Sequence, residues 1–233
     1  MKNLFVIILT IVLVVSIYLI NLDRKVFFFA IGDSVSLGKV DKAITEKNYN
    51  YYIADYFSKI STLEKYVKQY EQEGLRINDV INDINSNKKI MVGDRAYSLK
   101  NLLIKADIVT ISINHDDLFN KLNNNYNVNE LYNWIDEIIN DYEDMLSLIR
   151  SYCKEKVVVI GYYYPGILEY DSQIFQVISH LNDSFKEVSS LYDVSFINPL
   201  AIFLENEDAM GLYYPTELGY KLIGEQIISI IKD

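Results

Sequence analysis

The stretch FFFAIGDSVSLG, Phe27 to Gly38, decides how the rest of the chain is read. Phe27 to Ile31 is an unbroken apolar run, as expected of a strand covered on both faces of a parallel sheet. Gly32 ends the run, and Asp33, Ser34 and Ser36 then place an acid and two hydroxyls on the turn that follows. A serine at a strand tip becomes a nucleophile only when a base takes its proton. No imidazole lies in the stretch, so any such base must come from more than eighty positions downstream, where His115 and His180 are the two histidines of the chain.

Working outward, short apolar runs alternate with segments of helical period, the pattern of a parallel sheet with crossover helices. Strands are expected at Val26–Ile31, Ala106–Ile113, Lys156–Gly161 and Val194–Asn198, with a weaker one at Tyr66–Tyr70. Helices are expected at Tyr51–Lys59, Ile77–Ile84, Leu99–Lys105, Val128–Lys154 and Gln173–Leu191, and a last one after Pro215. In the longest, Leu131, Trp134, Ile138, Tyr142, Met145 and Ile149 recur every three or four residues, which marks a buried stripe. The last helix is expected to turn Leu218, Leu222, Ile223, Ile227 and Ile230 inward. Because ligands bind outside the carboxyl ends of parallel strands, three polar stretches should meet at one edge: Gly32–Ser36, Asn114–Asp117 and Tyr162–Pro165.

Composition narrows the function. At 233 residues, half of them apolar, the chain can bury one sizeable core. Asp and Glu number 32 against 22 Lys and Arg, so no basic face is available to track nucleic-acid phosphates. The single Cys153 excludes an internal disulfide and a thiolate metal cluster, and reads as a small buried hydrophobe. No cofactor or metal is called for: Asp116, Asp117 and Glu71 could gather a hard cation, but no calcium-loop spacing is present. The amino terminus stands apart. Leu4 to Ile20 is uncharged and apolar, near the lower length of a spanning helix, and no small-residue cleavage site follows it. Residues 1–25 are therefore read as a membrane anchor or uncleaved signal, and 26–233 as one domain held close to the bilayer on its extracytoplasmic side.

The Gly32-Asp33-Ser34 tip, followed by Val35-Ser36-Leu37-Gly38, resembles the first signature block of the SGNH, or GDSL, hydrolases. TISINHDDLF, Thr110–Phe119, falls where that family carries its Gly-x-Asn-Asp block, and GLYYPTELGY, Gly211–Tyr220, where it carries Asp-x-x-His before the last helix. The resemblance implies a three-layer α/β/α, flavodoxin-like fold and a serine esterase or acylhydrolase with Ser34 as nucleophile. It also implies an acyl ester, lipid or glycan as ligand.

Against that pattern the catalytic blocks are degenerate. Tyr214 stands at the histidine position, Gly211 at the aspartate position and Asp116 at the oxyanion asparagine. YEQEGLR, Tyr70–Arg76, is placed at the glycine block, with Glu71 at the glycine and Gly74 retained nearby. A phenol with a reference pKa of about 10 is a poor acceptor for a serine proton, and a carboxylate repels a developing oxyanion. Two readings of His115 stay open: a relocated base in a Ser34, His115, Asp117 constellation, or an exposed loop residue. His180 is read as an ordinary helical histidine. Tyr162, Tyr163, Tyr164, Tyr213 and Tyr214 either line a ligand cleft or simply cover the sheet edge. The expectation is impaired or lost catalysis, the alternative being a pseudoenzyme that binds a glycan, lipid or protein through the cleft.

Overall fold

A computed structural model describes residues 25–124 and 127–232, together with Thr10. Five parallel strands form the central sheet: β1 (Val26–Gly32), β2 (Leu63–Glu71), β3 (Ile108–Ser112), β4 (Lys156–Ile160) and β5 (Ser195–Ile197). Their order, β2-β1-β3-β4-β5, is the flavodoxin-like doubly wound arrangement. The expected membrane segment, Leu4 to Ile20, lies outside the described residues apart from Thr10. Among the described residues no helix is long and apolar enough to cross a membrane.

The helices are α1 (Ser34–Leu37), α2 (Tyr49–Lys59), α3 (Ile77–Asn85), α4 (Leu99–Lys105), α5 (His115–Asn123), α6 (Val128–Tyr152), α7 (Ser172–Leu191), α8 (Pro199–Glu205) and α9 (Glu217–Lys232). They pack as two groups, α2 with α9, and α6 with α3, α4 and α7. Every side chain from Phe27 to Ile31 is buried, which requires cover on both faces of β1 and explains why its sequence shows no alternation. The α6 stripe predicted from its spacing is buried throughout. Cys153 is buried after it.

Several elements differ from the sequence reading. Two small hairpins, Lys39–Val40 with Ala43–Ile44 and Lys89–Val92 with Arg95–Ser98, are too short to carry a readable period. α5 begins directly at His115, where a loop was expected, because Asn114 takes a left-handed conformation (φ 62°) and turns the chain out of β3. Its side chain Oδ1 accepts the Ile77 N–H at 2.9 Å. Leu218 is 42% exposed rather than inward, and the inner face of α9 is built from Tyr220, Ile223 and Ile227.

Two features of β1 position the site. In the parallel register Gly32 lies opposite Ser112, and the Asp33 N–H donates to the Ser112 carbonyl at 2.9 Å. The tips of β1 and β3 therefore end level, and the residues after each are neighbours. Gly32 is required because a Cβ there would meet Ser36 Cβ at 2.2 Å, so α1 can fold back against the strand only over a bare backbone.

Candidate active site

Asp33 caps α1, its Oδ1 accepting the Val35 N–H at 3.1 Å. This short helix sets Ser34 at the β1 tip, facing the first turn of α5. The Ser34 hydroxyl donates to Asp116 Oδ2 at 2.7 Å. The same oxygen accepts the Gly74 backbone N–H at 2.9 Å, and Oδ1 accepts the Tyr214 hydroxyl at 3.2 Å. Three donors from three separate stretches of the chain thus converge on one carboxylate. Ser34 has no exposed surface, and Tyr214 retains 9%.

Tyr214 is a donor in this arrangement. Burial and then the Asp116 charge raise its pKa, with Lys39 opposing, so the phenol keeps its proton. The Lys39 ammonium lies 5.3 Å from the Tyr214 ring centroid and is paired with Glu73. Beside this cluster opens a cleft of ≈ 420 Å³ lined by Lys39, Asp41, Glu73, Asn120, Phe119 and Tyr213, among others.

The glycine block needs a correction. Glu71 is not at the site: its Oε1 accepts from Ser36 Oγ at 2.8 Å, Asn50 Nδ2 at 2.7 Å and the Tyr66 hydroxyl at 3.4 Å. Burial pushes its pKa up to about 7. Gly74 is the residue of this block at the site: its N–H donates to Asp116 Oδ2 at 2.9 Å, and its φ of 73° suits glycine.

Both readings of His115 are overturned. The side chain is neither exposed nor bonded to Ser34; it is fully buried, with Nδ1 3.1 Å from Asp33 Oδ2 and Nε2 3.0 Å from the Gly161 carbonyl oxygen. Geometry turns the ring away because α5 starts at His115 and directs it under the sheet edge, while the next residue, Asp116, faces Ser34. Asp117 does not orient a base either: it pairs with Arg76 at 2.9 Å near the surface. Tyr162 is buried beneath the edge, its hydroxyl donating to the Ile113 carbonyl at 3.1 Å. Tyr163 is also buried, and Tyr164 turns to the Glu169 carbonyl at 2.8 Å. Of the five tyrosines, Tyr213 and Tyr214 line the cleft, joined by Phe119. His180 is an exposed helical residue beside Tyr132.

Sequence reasoning missed Asp41. Its carboxylate accepts the N–H groups of Leu212 and Tyr213, each at 2.9 Å, from 171 and 172 residues away. It thereby fixes the loop that presents Tyr214, and it lies against Gly211. No periodicity or motif marks it.

No family model matches the chain, and no curated protein matches it by sequence. Solved structures match its fold. A lipase, Lip_vut3, from a goat rumen metagenome shares 18% identity at a TM-score of 0.71, over 87% of this chain and 95% of its own. The acetylxylan esterase Axe2 of Geobacillus stearothermophilus shares 14% at a TM-score of 0.65, over 91% and 96%. TesA shares 12% at 0.62, over 88% and 97%. Axe2 variants at a serine, an aspartate and a histidine are described as catalytic mutants, the last two three positions apart. The chain has the fold of the SGNH/GDSL esterases and lipases.

Proposed function

We propose that this is a membrane-anchored, extracytoplasmic protein of esterase fold that holds an acyl ester, lipid or glycan ligand in its sheet-edge cleft without turning it over. The observation that carries this reading is the Asp116 carboxylate seated against a fully buried Ser34 hydroxyl. Losing the general base of a comparable triad costs about six orders of magnitude in turnover. A fixed negative charge then opposes the oxyanion: two unit charges ~4 Å apart at an effective dielectric near 20 repel by about 4 kcal/mol, roughly another thousandfold. Together these exceed what binding and one retained N–H supply. The apolar run before Arg24 supports anchoring, and Phe119, Tyr213 and Asn120 give the cleft the mixed aromatic and amide lining that suits such ligands.

A second reading is residual hydrolysis with Asp116 as base, favoured by its 2.7 Å distance from Ser34 Oγ. A carboxylate is a weaker base for this purpose than the imidazole it would replace. A serine-directed fluorophosphonate separates the two. The binding reading expects no adduct at millimolar probe by intact mass; an adduct abolished by Ser34→Ala establishes the second reading instead.

A further inference from the structure

Beneath the Ser34–Asp116 pair lies a second pair with no exposed surface, Asp33 and His115. Both ring nitrogens of His115 face acceptors: Nδ1 meets Asp33 Oδ2 at 3.1 Å, and Nε2 meets the Gly161 carbonyl at 3.0 Å, while the Ser112 hydroxyl, 3.5 Å from Nδ1, gives its proton to Asp33 Oδ1 at 3.1 Å. A neutral imidazole carries one N–H, so either tautomer would leave a lone pair against an oxygen lone pair in a fully buried site. The ring fits its surroundings only with both protons. The Tyr162 and Tyr163 rings, with centroids at 4.8 and 5.6 Å, flank it as aromatic neighbours of a cation do.

The pair also connects the pieces that carry the site. Asp33 accepts the Val35 N–H of α1, the Ser112 hydroxyl of β3 and the His115 N–H at the start of α5. Through Gly161 the ring reaches the end of β4. We propose that His115 is a buried imidazolium acting as a positioning residue: its second proton locks the tips of β1, β3 and β4 together and so holds Asp116 against Ser34. Removing that proton leaves Asp33 buried without a counter-charge and loosens α1 from α5, which unseals the serine. This holds whether or not Ser34 turns over an ester.

The charged and titratable groups facing the ring are Asp33 from the β1 tip, Asp116 from its own helix, and Tyr162 and Tyr163 from the β4 loop. Burial alone would lower the His115 pKa, but Asp33, the Gly161 carbonyl and Asp116 outweigh it and raise the value above the ordinary 6.5. The sign follows: a raised folded pKa gives stabilisation that is complete below pH 6.5 and is lost as pH climbs through the folded value.

The test uses the full chain in detergent micelles with ¹⁵N-labelled histidine. At pH 7.5 the long-range ¹H–¹⁵N spectrum should show two protonated ring nitrogens for His115. A single-tautomer pattern for His115 at that pH overturns the proposal. Amide exchange at residues 33–36 and 114–117 should accelerate in step with loss of the His115 proton, and exchange indifferent to that titration counts equally against it. If His115→Gln folds, the wild-type folding constant should fall relative to it by up to tenfold per pH unit above 6.5; parallel profiles contradict the latch.

Discussion

Ser34 Oγ and Asp116 Oδ2 lie 2.7 Å apart, with the hydroxyl donating and the Gly74 N–H donating to the same oxygen at 2.9 Å. One carboxylate oxygen thus gathers a side-chain donor from the β1 tip and a backbone donor from the loop after β2.

Removing that carboxylate should open an anion site. In Asp116→Ala, the donors from Ser34, Gly74 and Tyr214 lose their common acceptor, at an expected cost of about 2–3 kcal/mol in unfolding free energy. Millimolar acetate or formate should recover part of the loss, read as a concentration-dependent rise in Tm absent from the wild type. No anion-dependent shift in a folded variant would show that the three donors do not form a receiving pocket.

Rebuilding the triad should fail for a structural reason. A Cβ at Gly211 would stand 2.9 Å from the Tyr214 carbonyl oxygen and 3.0 Å from Asp41 Oδ2, so a new carboxylate would be crowded and set beside an existing one. The triple variant Tyr214→His, Gly211→Asp, Asp116→Asn is expected to lose about 2 kcal/mol of stability. It should hydrolyse p-nitrophenyl acetate no faster than its Ser34→Ala counterpart; clear turnover would mean that the loop relaxes freely.

Gly32 should tolerate no side chain. Its Cβ would overlap Ser36 Cβ at 2.2 Å and approach the Ser112 carbonyl at 3.0 Å. Gly32→Ala is expected to cost about 3 kcal/mol or more by urea unfolding, and a loss below 1 kcal/mol would show that α1 is not pinned against β1.

Glu71 should make stability fall as pH rises. Its pKa, pushed by burial to about 7, exceeds the unfolded value of 4.5, so the folded state binds more protons between these two pH values. Glu71→Gln keeps an acceptor for Ser36, Asn50 and Tyr66 but cannot ionise. Across pH 4.5 to 7 its unfolding free energy should change by up to ~3 kcal/mol less than that of the wild type; identical slopes would place the charge in water.

How far the sequence could be read depends on range. Phe27–Ile31 and the α6 stripe declare themselves because each repeats a local period, and the parallel order follows from their alternation. Ser34, Gly74, Asp116 and Tyr214 were also within reach, because each follows a strand or precedes a helix at a motif's spacing. The direction of a side chain was not: whether His115 or Asp116 faces Ser34 turns on one left-handed residue, Asn114. Glu71 ends β2 and Gly74 lies three positions on, and only the register of β2 beside β1 decides which of them meets the Asp116 carboxylate. Asp41 was illegible, since its partners lie some 170 residues away and its hairpin has two-residue strands.

The most direct measurement of the central claim is hydrolysis of p-nitrophenyl acetate by the purified full chain from pH 6 to 9, with Ser34→Ala alongside. A sealed, baseless serine predicts equal rates for the two proteins at every pH. A wild-type rate that exceeds the Ser34→Ala rate tenfold or more at any pH would contradict it.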